Sequence, residues 1–133
     1  MRITGIAVIV SAAIFSVALS SCKNTMTPGL DQVVFPDTGT VNYNNYVQRL
    51  FNVACNYSGC HDAADQEGGL DLTNYFSMIN SIPSPVIPRD STSSILIERV
   101  KGLLQPQMPP NGPLNSNQIH GLARWVQQGA QDN

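Results

Sequence analysis

Cys55-Asn56-Tyr57-Ser58-Gly59-Cys60-His61 is the stretch on which the reading of this chain turns. Two thiols with an imidazole directly after the second is the arrangement by which a polypeptide attaches haem c. Each thiol adds to a vinyl group, and the histidine ligates the iron from the proximal side. The usual motif has two residues between the cysteines, whereas four separate Cys55 from Cys60. The rest of the chain must therefore supply what such a site needs, above all a second axial ligand and a compatible fold.

A haem iron held by histidine on one side commonly takes a methionine thioether on the other. The chain has four methionines. Met1 and Met26 precede any pattern of a folded domain, and Met78 sits in an apolar helical context and reads as core. Met108 stands in Gln105-Pro106-Gln107-Met108-Pro109-Pro110. Prolines on both sides restrict the backbone there, so the sulfur is presented with little entropy left to lose. Methionine is often a gap filler, but beside the cysteine motif Met108 reads as the distal ligand and His61 as the proximal one.

The N-terminus points to export. Arg2 is followed by an apolar run from Ile6 to Leu19 and then Ser20-Ser21-Cys22. That order resembles a bacterial lipoprotein signal with its lipobox, and the run is too short and too weakly flanked for a permanent span. Residues 1–21 read as signal peptide and Cys22 as the lipidated first residue of the mature protein. Each buried acyl methylene contributes about 0.8 kcal/mol to membrane binding. Lys23 is not an acidic retention signal, which leans the anchor towards the outer membrane, facing the periplasm or the cell surface. Loss of Arg2 with the signal leaves six basic against nine acidic side chains, a balance that gives no reason to expect nucleic acid. With Cys22 acylated, Cys55 and Cys60 remain as a close pair in an oxidising compartment, where such a pair is normally a disulfide or a haem attachment site.

Residues 22–42, with Pro28, Gly29, Pro36 and Gly39, read as an extended tether. The expected domain is 43–133. Apolar residues at Tyr46, Val47, Leu50, Phe51 and Ala54 recur at helical offsets and predict a helix over 43–54 running into Cys55. Residues 61–69 read as loop, and 70–79 as a turn and short helix. Pro83, Pro85 and Pro88 impose an irregular strap. Asp90-Ser91-Thr92 offers capping groups for a helix over 93–104, with Ile95, Leu96, Val100, Leu103 and Leu104 on its apolar face. Asn115 and Gln118 form a capping-box pattern. They open a last helix over 116–128 that buries Ile119, Leu122, Ala123 and Val126 and ends at Gly129. The expected fold is all-α: a small domain of three main helices with long loops around one haem.

Over roughly Tyr46 to Ala130 the chain resembles the planctomycete-type cytochrome c domain. The matching pieces are Cys55, Cys60 and His61; Gly68-Gly69-Leu70; Ile87-Pro88 with Asp90; and Ser94-Ile95-Leu96. After these come Met108-Pro109-Pro110, Leu114, Gln118-Ile119, Leu122, Trp125-Val126 and Gly129-Ala130. The resemblance implies a class I-like cytochrome c in which the two terminal helices cross, through Leu50 and Phe51 against Leu122, Trp125 and Val126. It implies one covalent haem c on Cys55 and Cys60, with His61 as proximal ligand and Met108 as the distal one. The chain departs from the family in the four-residue spacing and in having Asp62, not glycine, after the histidine. The longer loop must bulge outward, with Gly59 supplying backbone freedom. Asp62 places negative charge near the haem edge.

Other readings stand beside this one. Cys55 and Cys60 can form a disulfide in a haem-free lipoprotein module for adhesion or assembly. A haem enzyme or sensor with an open sixth position is a third possibility. Zinc would need His120 as a fourth ligand, and His120 is also an alternative distal histidine, although a surface position suits it better. Tyr43, Tyr46 and Tyr57 line the pocket or form plain core. Arg89, Arg99 and Arg124 are candidates to neutralise haem propionates. No Ser-His-Asp arrangement, paired carboxylates or phosphate loop is visible. The sequence thus predicts an electron carrier rather than an enzyme, with redox proteins as partners and a membrane contact through lipid.

Overall fold

The computed structural model describes residues 29–133. The expected signal at 1–21, Cys22 and Met26 lie outside the described residues. A 3₁₀ turn, Leu30–Gln32, comes first. A π-helical turn, Tyr43–Val47, runs into α1, Gln48–Ala54. A second 3₁₀ turn, Glu67–Gly69, precedes α2, Tyr75–Ile79. Then come α3, Ile95–Val100, and α4, Ser116–Gln127. Among the described residues there is no strand, only an isolated antiparallel bridge between Ile87 and Asp90. The fold is small and all-α, as the periodicity predicts.

Side-chain caps fix where the helices begin. Asn42 accepts from the Asn45 N–H at 2.9 Å, and Asn74 from the Ser77 N–H at 2.9 Å. At α4 the capping box is complete: Asn115 Oδ1 accepts from the Gln118 N–H and Gln118 Oε1 accepts from the Asn115 N–H, both at 3.0 Å. Each cap satisfies an amide that the helix leaves unpaired, worth about 1 kcal/mol.

Helix α3 is shorter than predicted. Asp90 does not cap it; its carboxylate accepts from the Thr92 and Ser93 N–H groups at 3.0 Å. The bond from Ser93 is the main cause holding the Asp90 carboxyl below its ordinary range. The helix starts after Ser94, a fully buried serine whose hydroxyl donates to Asp90 O at 2.6 Å and accepts from the Ile87 N–H at 2.8 Å. Its core face is Leu96, Ile97 and Val100. Beyond Val100 the chain turns at Gly102, leaving Leu103 75% exposed and outside the expected apolar face.

The larger departure is upstream. Leu30, Val33, Phe35 and Val41 are all buried, so the stretch 30–41 is part of the packed unit, which does not begin at Tyr43. Side chains of α4 bind its backbone. Gln118 Nε2 donates to Leu30 O at 2.7 Å and Val33 O at 3.2 Å. Asn117 accepts from the Phe35 N–H at 2.8 Å and donates to Phe35 O at 3.0 Å. Arg124 donates to the carbonyls of Asp37, Thr38 and Gly39, and Gln128 accepts from the Val41 N–H at 2.8 Å. Buried backbone needs such partners, and this segment finds them on a helix instead of in a ladder.

The other face of α4 meets α3, and its Trp125 meets Tyr43 of the π-helical turn. The Tyr43 ring lies 5.5 Å from Trp125 and 5.2 Å, edge-on, from Tyr75. Their polar ends are paired: Tyr75 Oη donates to Ala130 O at 2.8 Å and Trp125 Nε1 to Gln131 O at 3.0 Å. Leu50, Phe51, Leu122, Trp125 and Val126 are each at most 1% exposed. Met78 is fully buried, as expected of core.

Phe35 reaches α4 only because position 121 is glycine. A Cβ there would lie 2.1 Å from Phe35 Cγ. Helix preference alone favours alanine over glycine by about 1 kcal/mol, but overpacking typically costs about 1–3 kcal/mol, and at this distance the clash wins. Gly121→Ala is therefore expected to lower the urea midpoint, and Phe35→Leu in the same chain to recover part of the loss. A raised midpoint for Gly121→Ala would refute the contact.

Candidate functional site

Helix α1 delivers the first thiol, since Cys55 is its C-cap residue. The Cys55 and Asn56 N–H groups both donate to Phe51 O at 2.9 Å, closing the helix. The chain then makes a tight turn in which the Cys60 N–H donates to Tyr57 O at 2.9 Å. Gly59 adopts φ +78°, the left-handed conformation that such a turn asks of its third residue. The His61 N–H returns to Cys55 O at 3.1 Å. The four-residue gap is thus folded outward, as the spacing predicts, and His61 comes back beside the first cysteine.

The downstream side is held as well. The Glu67 N–H donates to Cys60 O at 2.8 Å and the Leu72 N–H to His61 O at 2.9 Å. Asp62 turns into its own loop, where Oδ1 accepts from the Asp65 N–H at 2.7 Å and the Ala64 N–H at 3.2 Å. Cys55 and Cys60 are free thiols, both half-buried. Burial, and then the nearby Cys60, push the Cys55 thiol up to about 12.

Met108 comes from the other side of the sequence and is positioned by α3. Its N–H donates to Arg99 O at 3.0 Å, and the Arg99 guanidinium donates to Pro106 O at 3.1 Å. One arginine therefore grips the methionine loop at two points, two residues apart. This role was not legible in the sequence, where Arg99 is one of three arginines considered for neutralising propionates.

These segments enclose a cavity of about 450 Å³, within the range of cofactor sites. Cys55, Cys60, His61 and Met108 all line it. Most of the remaining wall is apolar, from Ala54, Leu70, Leu72, Leu96, Val100, Leu104 and several prolines, with Glu67 and Arg99 as its charged side chains. His120 is exposed on α4, and it lies outside this lining together with Tyr43, Tyr46, Tyr57, Arg89 and Arg124. Tyr57 instead donates its hydroxyl to Val53 O. No group of three or more His, Cys, Asp or Glu that could hold a metal ion occurs among the described residues. A smaller, more polar depression between Thr40 and Gln128 contains none of the candidate residues.

The residues fit a haem. The walls suit a large apolar ring, the thiols suit its vinyl groups, and the thioether and imidazole suit its iron. His61 Nδ1 is buried without a hydrogen-bond partner, and a buried unpaired polar atom is costly. A metal bond is a partner that an imidazole readily takes.

A small all-α unit around an apolar cavity that presents two thiols, an imidazole and a thioether has the construction of a c-type cytochrome. The family model for Planctomycete cytochrome C matches residues 58–112. That match supports a planctomycete-type cytochrome c domain, a haem-binding electron-transfer module, over this span. The matched span includes Cys60, His61 and Met108 and begins three residues after Cys55. No curated protein and no solved structure matches the chain.

The thiolate is the reactive form of cysteine, and a raised pKa lowers its share at any pH below that value. In the haem-free folded chain, Cys55 is expected to react with iodoacetamide at pH 8 about a thousandfold more slowly than an ordinary exposed thiol. The rate should climb as pH approaches about 12, or on denaturation. Peptide mass analysis of the alkylated chain checks this; ordinary reactivity at pH 8 would contradict the burial of Cys55.

Proposed function

We propose that this chain is a single-electron carrier with one haem c, bonded through Cys55 and Cys60 and ligated by His61 and Met108. The observation that carries the reading is that residues far apart in sequence, the Cys55–His61 loop and Met108, line one apolar cavity. When bound, the haem supplies one-electron exchange between ferric and ferrous iron. His61 would hold the iron from the attachment loop and Met108 from the proline-braced loop. A thioether ligand favours the ferrous state, and so do apolar walls, which raise the cost of the extra charge on ferric iron. Arg99 acts in the same direction and Glu67 against it. The placement of both cysteines on the cavity wall beside His61 favours attachment over the alternative of a disulfide in a haem-free module.

His61 and Met108 would both hold the iron, which favours electron transfer over catalysis at it. The partners are then redox proteins. Cys22 would tie the mature protein through lipid to the outer membrane, facing the periplasm or the cell surface. Among the described residues no helix is long and apolar enough to cross a membrane, and the anchor proposal rests on the signal-like run before Cys22.

Expression with haem-maturation machinery should give a covalently coloured protein with a haem c α-band on reduction. Its ferric form should show a near-infrared methionine–iron charge-transfer band that Met108→Ala abolishes. No α-band would remove the cytochrome reading, and a band surviving in Met108→Ala would assign the distal position elsewhere. Cys22→Ser should release the protein from membranes into the soluble fraction; continued membrane retention would refute the lipid anchor.

A further inference from the structure

The lengthened attachment loop has a brace outside the motif itself. The Asp65 carboxylate accepts from the Gly59 N–H at 2.5 Å and from the Ser58 hydroxyl at 3.2 Å. Ser58 and Gly59 are the two middle residues of the turn that Tyr57 O and the Cys60 N–H close. The backbone of Asp65 is fixed in turn, its N–H donating to Asp62 Oδ1 at 2.7 Å. Asp62 directly follows His61. Cys60 and His61 therefore lie between two turns that one carboxylate ties together.

The tie matters because of the spacing. A loop with four residues between two thiols has more conformations than one with two, and ordering it costs more entropy. The middle peptide of a β-turn can also face either way. An acceptor fixed on the Gly59 N–H selects one orientation and limits how far the turn can swing from the cavity.

We infer that Asp65 is a positioning residue for haem attachment: by fixing the Tyr57–Cys60 turn, it keeps the Cys60 thiol facing the cavity together with that of Cys55. This inference rests on the covalent-haem reading above. In each attachment the thiol S–H adds across a vinyl double bond. Sulfur bonds to the carbon next to the ring and the thiol hydrogen goes to the terminal carbon; nothing leaves and no oxidant or reductant is consumed. Two such bonds need both thiols in place at once, which is where a wandering turn would fail.

The test compares wild type, Asp65→Asn and Asp65→Ala, each matured with haem in the same host. Mass analysis after denaturation and alkylation counts the thioether bonds per loaded chain. The α-band of the reduced pyridine complex reports the same count, because an unreacted vinyl extends the conjugation and moves the band to longer wavelength. Wild type is expected to carry two bonds, and so is Asp65→Asn, whose side-chain oxygen still accepts. In Asp65→Ala the ratio of singly to doubly attached chains should rise roughly fivefold, the size of effect that one lost hydrogen bond gives. A merely destabilised chain would lower the yield of loaded protein without changing that ratio. Full double attachment in Asp65→Ala, or a single bond in wild type, overturns the role of Asp65 while leaving a covalent cytochrome intact. A wild type without covalent haem overturns the parent reading and this one with it.

Discussion

Residues 30–41, Tyr43 and α3 are all set against α4. One face of the helix takes Phe35 at Gly121 and binds the 30–41 backbone through Asn117, Gln118, Arg124 and Gln128. The other sets Trp125 against Tyr43, and its end receives the Arg89 N–H at Val126 O, 2.8 Å away. Through Tyr43 the helix fixes the direction of the π-helical turn and α1, and hence where Cys55 emerges. Through its contact with α3 it fixes Arg99 and the methionine loop. A twelve-residue helix is only marginally stable alone. Burial of both its faces is what lets it serve as the frame.

The cavity is the consequence of that frame. The buried apolar cluster lies around α4, while the Cys55–His61 loop, Leu70–Leu72, α3 and the Met108 loop surround the cavity. Those surrounding parts are short in regular structure and rich in proline. They owe their shape to individual bonds: His61 to Cys55, Leu72 to His61, Ser94 to Asp90, Met108 to Arg99. Such loops place ligands from several directions around one flat group, which parallel helices would not do as readily. Leu70, Leu104 and the prolines among them turn apolar surface to the cavity, so an apolar occupant bonded to the loop would complete their packing.

How much of this was legible in the sequence follows from range. The helix 43–54, the short helix before Ile79 and the capped last helix depend on local periodicity and local caps, and all were readable. So was the grouping of Cys55, Cys60, His61 and Met108, because thiol, imidazole and thioether are rare enough to be noticed wherever they stand. The packing of residues 30–41 was not readable: the partners of that backbone are 80 or more residues away, and its four core side chains follow no regular period. The early end of α3 escaped because Leu103 and Leu104 continue the apolar pattern through Gly102, where the backbone turns. Asp65 and Arg99 escaped for a similar reason. Each acts through a carboxylate or guanidinium on a backbone group of another loop, and an isolated charged residue in a sequence looks like solvated surface.

Arg99 shows how structure and redox chemistry are joined here. Its side chain and its carbonyl hold the loop that presents Met108, and the same side chain lines the cavity. On the proposed reading these two roles agree in sign. A firmly held thioether favours ferrous iron, and a fixed positive charge beside the cavity disfavours the additional charge of ferric iron. Lysine would supply the charge without equivalent hold, since a guanidinium is planar and pre-organised and an ammonium is a mobile point charge. Alanine would remove both. Asp62 pulls the other way less than its place in the sequence suggests, because its carboxylate is turned onto the Ala64 and Asp65 amides and is outside the cavity lining. The balance of charges at the site is therefore set by which groups the loops turn inward: Arg99, which on this reading favours the reduced state, and Glu67, which opposes it.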